Sequence, residues 1–70
     1  MKTLYDVQQL LKRFGIIVYV GSRIADIEMM AIEIDQLHRS RLIDDETYQI
    51  AKLILRREHR YEEEKQNQES

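Results

Sequence analysis

Apolar side chains recur every three or four residues in three separate segments of this chain, a spacing that predicts amphipathic helices. The first predicted helix begins after Thr3, which opens a capping-box pattern, and ends at Gly15, which suits the left-handed conformation of a helix end. The second is capped by Ser22 and runs to about Arg39, and the third starts at the N-cap Asp44. A chain of 70 residues has room for one core, so the pattern predicts an all-α, three-helix bundle.

Residues 16 to 20, with the sequence IIVYV, lie between Gly15 and Gly21 and have the composition of a short buried strand. The chain offers no second strand for pairing, and a lone strand leaves backbone groups without hydrogen bonds. We therefore expect an extended apolar connector, laid across the core between helices one and two. A strand pair between two copies of the chain is the alternative.

Charge is unevenly distributed along the chain, although the net charge is only −2. Residues 1 to 60 contain ten Lys and Arg against nine Asp and Glu, whereas residues 61 to 70 contain Lys65 and four Glu. Glu58 interrupts the apolar face of the third helix, so its packing is expected to loosen from there. We predict a bundle over residues 1 to 61 and an acidic polar tail, frayed or disordered, over residues 62 to 70.

Several classes of function are disfavoured by what the chain lacks. It has no cysteine, hence no disulfide and no thiolate zinc ligand, which is ordinary for a cytoplasmic protein. It has no glycine-rich phosphate loop and no matched acid, base and nucleophile, which predicts a non-enzyme without a cofactor. Asp35 and His38 have the i, i+3 spacing of metal ligands, but two ligands are too few, so no metal is expected. We found neither a signal peptide nor an apolar stretch long enough for a bilayer, and predict no membrane contact.

The outer side of the third helix carries basic residues at i, i+4 and i+8, with another one step around the helix. Like charges at this spacing repel by roughly a few tenths of a kcal/mol per pair on an isolated helix. One interpretation is a phosphate-binding stripe for single-stranded DNA or RNA, with tyrosines as stacking platforms; the other is an ordinary solvated surface. The candidate nucleic-acid-binding residues are Lys52, Arg56, Arg57, Arg60, Arg41 and Tyr61.

Helix two has a second apolar surface, opposite its main stripe, which consists of Ala25, Met29 and Ile32. This surface either packs on the connector or binds a protein partner or a second copy of the chain. The sequence thus predicts a small binding module, with a nucleic acid as the more specific hypothesis and a protein partner or homodimer as the alternative.

Three segments resemble the YqgQ-like family, a bacterial family of very short proteins of unknown function. They are YDVQQLLKRFGIIVYVGSR near the start, DIEMM in helix two and LIDDETYQIAKLILRREH in helix three, and together they fall within residues 4 to 59. The resemblance implies a three-helix bundle, in agreement with the periodicity, and provides no catalytic residues to carry over.

Overall fold

The structure, a computed structural model that describes residues 1 to 69, contains three helices. They are α1 (Leu4–Arg13), α2 (Arg23–Arg39) and α3 (Asp45–Glu69), and no strand occurs within these residues. The predicted all-α, three-helix bundle is confirmed. None of the helices in residues 1 to 69 combines the length and the apolar character that crossing a membrane requires.

The helices begin where their capping residues predict. The Asp6 N–H donates to Thr3 Oγ1 at 3.3 Å and the Thr3 N–H donates to Asp6 Oδ2 at 3.0 Å, which completes the capping box of α1. Ser22 Oγ accepts a hydrogen bond from the third residue of α2, and Asp44 Oδ1 accepts one from the Thr47 N–H at 2.8 Å. These bonds satisfy backbone donors that a helix start otherwise leaves unpaired.

The first two helices end in the same motif, which uses a residue with positive φ. At the end of α1 this residue is Gly15, at φ 76°, whose N–H donates to the Lys12 carbonyl at 2.9 Å. At the end of α2 it is Arg41, at φ 60°, whose N–H donates to the His38 carbonyl at 3.0 Å. A non-glycine residue is strained in this region, because its Cβ approaches the backbone.

One apolar core joins the helices and the connector. The largest fully buried side chains belong to α1 and α2, and α3 adds Ala51, Ile54 and Leu55. Ile16 and Val18 of the connector pack against this core, whereas Ile17 and Tyr19 between them are exposed. The predicted connector across the core is therefore confirmed. The largest fully buried side chains are Val7, Leu11, Ile27, Met30 and Ile34.

The C-terminal residues differ from the expectation of a frayed or disordered tail that starts at residue 62. Helix α3 continues without a break to Glu69, because glutamate, lysine and glutamine are good helix formers. Glu62 is 8% exposed and its Oε1 lies 3.0 Å from Arg23 Nε, so this carboxylate belongs to the bundle. Ser70 lies outside the described residues.

Candidate nucleic-acid interface

An open groove of about 780 Å³ lies between the N-terminal residues and the outer side of α3. Its cationic lining consists of Lys2, Arg56, Arg57 and Arg60, and its apolar lining includes Leu53. Among the residues that the structure describes, no carboxylate contributes to the lining. We call this feature the cationic groove; its charge suits an anionic ligand, and its apolar part suits a ligand that also has a flat or aliphatic surface.

Arg57 holds the N-terminal wall of the groove in place. Its Nη2 donates a hydrogen bond to the Lys2 carbonyl at 2.7 Å and lies 3.8 Å from Glu58 Oε1. The two hydrogen-bonded residues are 55 positions apart in the chain, so no local pattern in the sequence could reveal the contact. Arg57 therefore has a structural role in addition to the binding role that the sequence predicted.

Arg56 and Arg60 are the two exposed guanidinium groups of the groove. They are one helical turn apart, and within residues 1 to 69 neither forms an ion pair or a hydrogen bond. Two neighbouring cations without a counterion raise the local positive potential, and guanidinium groups bind phosphate or carboxylate oxygens in bidentate geometry. The pair is the part of the predicted stripe that remains available for an anion.

Lys52, by contrast, lies on the side of α3 that faces α2. Its Nζ donates to Asp35 Oδ1 at 2.9 Å, and the same oxygen accepts a bond from the Tyr48 hydroxyl at 2.9 Å. The hydrogen bond from Lys52 is the main cause that lowers the pKa of the Asp35 carboxyl. The predicted stripe is therefore divided, since its first member neutralises a carboxylate of the neighbouring helix.

The other two predicted nucleic-acid-binding residues lie outside the groove lining. Tyr61 follows Arg57 by one turn and is 61% exposed, so its ring is accessible for stacking. Arg41 is exposed in the turn before α3, and Arg60 lies 15 residues into that helix, which is about 22 Å at 1.5 Å per residue. The structure thus brings Tyr61 close to the arginines and leaves Arg41 at the far end of the helix.

The second apolar surface of α2 faces away from the core. Ala25 is half-buried, whereas Met29 is 40% exposed and Ile32 is 48% exposed. Ile16 and Val18 of the connector pack on the core, and Met29 and Ile32 keep this exposure in the folded bundle. The surface therefore remains available to a partner.

Histidine pairs between α2 and α3 are polar contacts that the sequence did not reveal. His59 lies 3.1 Å from Glu28 Oε2 of α2 and 2.9 Å from Glu63 Oε1 of α3. His38 lies 2.7 Å from Asp45 Oδ1, and its ring stacks on Tyr48 with 3.9 Å between the centroids. The i, i+4 spacing of His59 and Glu63 was visible in the sequence, but the contacts across the helices were not.

No metal site emerges from the histidine and carboxylate groups of residues 1 to 69, where no cluster holds three suitable ligands. Asp35 and His38, which have the spacing of metal ligands, bond to different partners. The carboxylate binds Lys52, and the imidazole binds Asp45.

Comparison with known proteins agrees with the resemblance seen in the sequence. A family model described as YqgQ-like matches residues 1 to 61. The chain is also 48% identical over 58 residues to a Bacillus subtilis (strain 168) protein described as uncharacterized protein YqgQ. That alignment covers 83% of this chain and 82% of the relative. The groove residues lie within the stretch that the family model matches, and this chain belongs to the YqgQ-like family.

Proposed function

We propose that this protein is a non-catalytic module that binds single-stranded DNA or RNA in the cationic groove. The proposal rests mainly on Arg56 and Arg60, two exposed arginines that have no counterion within residues 1 to 69, in a groove that no described carboxylate lines. Phosphates of a nucleic-acid backbone match these groups in charge and in hydrogen-bonding geometry. The absence of cysteine supports a cytoplasmic location for this activity.

A single strand fits the groove better than a duplex. Leu53 and Tyr61 are both more than half exposed beside the arginines, and such side chains contact the unstacked bases that only a single strand offers. The protein carries a net charge of −2, so binding is expected to be weak and to depend on this local cluster. Sequence preference is expected to be small, because stacking and phosphate contacts accept every base.

Fluorescence anisotropy of a labelled oligonucleotide at low salt tests the proposal. If Lys2, Arg56 and Arg60 contact phosphates, the logarithm of the binding constant should fall with log salt at a slope of about −2, at roughly 0.7 per contact. Arg56→Ala and Arg60→Ala should each weaken binding and make the slope shallower by about 0.7. Arg13→Ala, which removes the same charge from α1, is the matched control. Absence of binding, or equal binding by all three variants, would contradict the proposal.

A protein partner on the outer surface of α2 is the second candidate function. The observation in its favour is the exposure of Met29 and Ile32 on a helix whose opposite side is fully packed. A partner of this kind covers apolar area, so Met29→Glu and Ile32→Glu should abolish its binding and leave the circular dichroism spectrum unchanged. Unfolding by either substitution would show that the surface is internal packing.

A further inference from the structure

The connector between α1 and α2 shows the burial pattern of an extended chain. Ile16 and Val18 pack on the core, whereas Ile17 is 79% exposed and Tyr19 is 85% exposed. Burial thus alternates from residue 16 to residue 19, as is typical of a strand, in which successive side chains point to opposite faces; Val20, at the end of the segment, is 59% exposed. The segment thus resembles one strand of a sheet that rests on the core by one face.

One edge of this strand is bonded to the bundle at its two ends. The Ile16 N–H donates to the Leu11 carbonyl at 3.1 Å, and the Val20 N–H donates to Asp26 Oδ1 at 2.6 Å. In an extended chain the backbone groups of alternate residues point to the same edge, so both bonds belong to one edge. These two N–H groups are held by the end of α1 and the start of α2, whereas the Val18 N–H and C=O between them have no hydrogen-bond partner within residues 1 to 69.

The opposite edge carries the N–H and C=O groups of Ile17 and Tyr19. Within residues 1 to 69, none of these four groups has a hydrogen-bond partner in the protein. An edge with unpaired groups is a template for another strand, and proteins protect such edges with charges or proline. The segment from 14 to 22, FGIIVYVGS, contains neither protection.

We propose that this edge binds the same edge of a second copy of the chain, with two antiparallel strands related by a two-fold axis at Val18. In this register Ile17 of each copy lies opposite Tyr19 of the other, and each of the two pairs exchanges two N–H···O bonds. The four backbone groups of Ile17 and Tyr19 are thereby satisfied in each chain. The alternate position, Val18 opposite Val18, forms the non-hydrogen-bonded pair between them.

The edge is complementary to itself, which favours a second copy over an unrelated strand. Two N–H donors and two C=O acceptors alternate along the edge. When a second copy is placed opposite it by a two-fold rotation, every donor of one copy faces an acceptor of the other. The two exposed side chains, Ile17 and Tyr19, become cross-strand neighbours, and pairs of aromatic and β-branched residues are favourable in that position. The uncharged sequence adds no repulsion between the copies. This contact uses neither the cationic groove nor the outer surface of α2.

Sedimentation velocity and amide hydrogen exchange over a wide range of protein concentrations test the pairing. We expect the fraction of dimer to rise with protein concentration. Over the same range, the hydrogen exchange of the Ile17 and Tyr19 amides should become slower. The Val18 amide points to the other edge, so its exchange should change least. A monomer at every concentration, or a dimer in which the Ile17 and Tyr19 amides exchange as fast as at high dilution, would overturn the proposal.

Two variants at one position separate backbone pairing from apolar contact. Ile17→Pro removes the N–H and should abolish the dimer, whereas Ile17→Ala keeps the N–H and should only weaken it. Tyr5→Ala, at a site 64% exposed on α1, is the control for loss of an exposed apolar side chain. Ile32→Glu should leave the dimer intact. A dimer that tolerates Ile17→Pro and is lost in Ile32→Glu would assign the interface to α2 and overturn strand pairing.

Discussion

Arg41 adopts, at the end of α2, the backbone conformation that Gly15 adopts at the end of α1. Its φ of 60° brings an L side chain close to its own backbone, at a cost of roughly 1 to 2 kcal/mol, which glycine avoids. Glycine in turn loses more conformational freedom on folding, which offsets part of the gain. We therefore expect Arg41→Gly to raise the free energy of unfolding by roughly 0.5 to 1 kcal/mol in urea denaturation.

Arg39→Gly is the matched control, since it makes the same change two residues earlier, at the last residue of α2. It should lower the free energy of unfolding by about 0.5 to 1 kcal/mol, because glycine is a poor helix former. If both variants lose the same free energy of unfolding, the backbone strain assigned to Arg41 is contradicted. Since Arg41 does not line the groove, Arg41→Gly should also leave oligonucleotide binding nearly unchanged.

Contacts between near neighbours in the chain were predictable from the sequence, and contacts between distant residues were not. The caps Thr3, Ser22 and Asp44 bond groups three residues away, so their residue types alone predict them. Lys52 binds Asp35 across 17 positions, and that contact depends on how α3 is rotated against α2. The helical pattern placed Lys52 on the outer side of the helix with Arg56 and Arg60, and it did not reveal the contact with Asp35.

The α2 and α3 helices are joined by His59, whose two ring nitrogens lie near carboxylates on both elements. Hydrogen bonding to Glu28, then to Glu63, raises the pKa of this imidazole above the ordinary value of 6.5. The protonated form is thus favoured in the folded state. Its stabilising contribution is complete below the unfolded-state pKa and disappears as the pH rises through the folded-state pKa.

We therefore expect the pH dependence of unfolding to change in His59→Gln. Between about pH 6 and pH 8, the wild-type protein should lose more stability than the variant as the pH rises, because only the wild type gives up this proton. Urea unfolding at several pH values provides the measurement. Glu28→Gln, which keeps the histidine and removes its main partner, should reduce the same pH dependence. If the free energy of unfolding changes with pH in the same way for the wild type and His59→Gln, the contact makes no measurable contribution to stability.

At the scale of the whole molecule, the helical spacing of apolar residues predicted the three helices, and the composition of residues 16 to 20 between two glycines predicted the connector. Both signals come from near neighbours in the chain. The cationic groove was predicted only in part. Arg56 and Arg60 were on the expected face, but the wall that Arg57 fixes through Lys2 depends on where the N-terminus lies against α3. The extent of the bundle was also underestimated, since the pairing of Glu62 with Arg23 requires knowledge of the packed structure.

The most direct test of the central claim is a map of the nucleic-acid contacts on the whole protein. Titration of the ¹⁵N-labelled chain with a short single-stranded oligonucleotide at low salt should shift the amide resonances of Lys2, Leu53, Arg56 and Arg60. The amides of Met29 and Ile32 should stay unshifted, because the outer surface of α2 faces elsewhere. Shifts confined to α2, or no shifts at any oligonucleotide concentration, would contradict binding in the cationic groove.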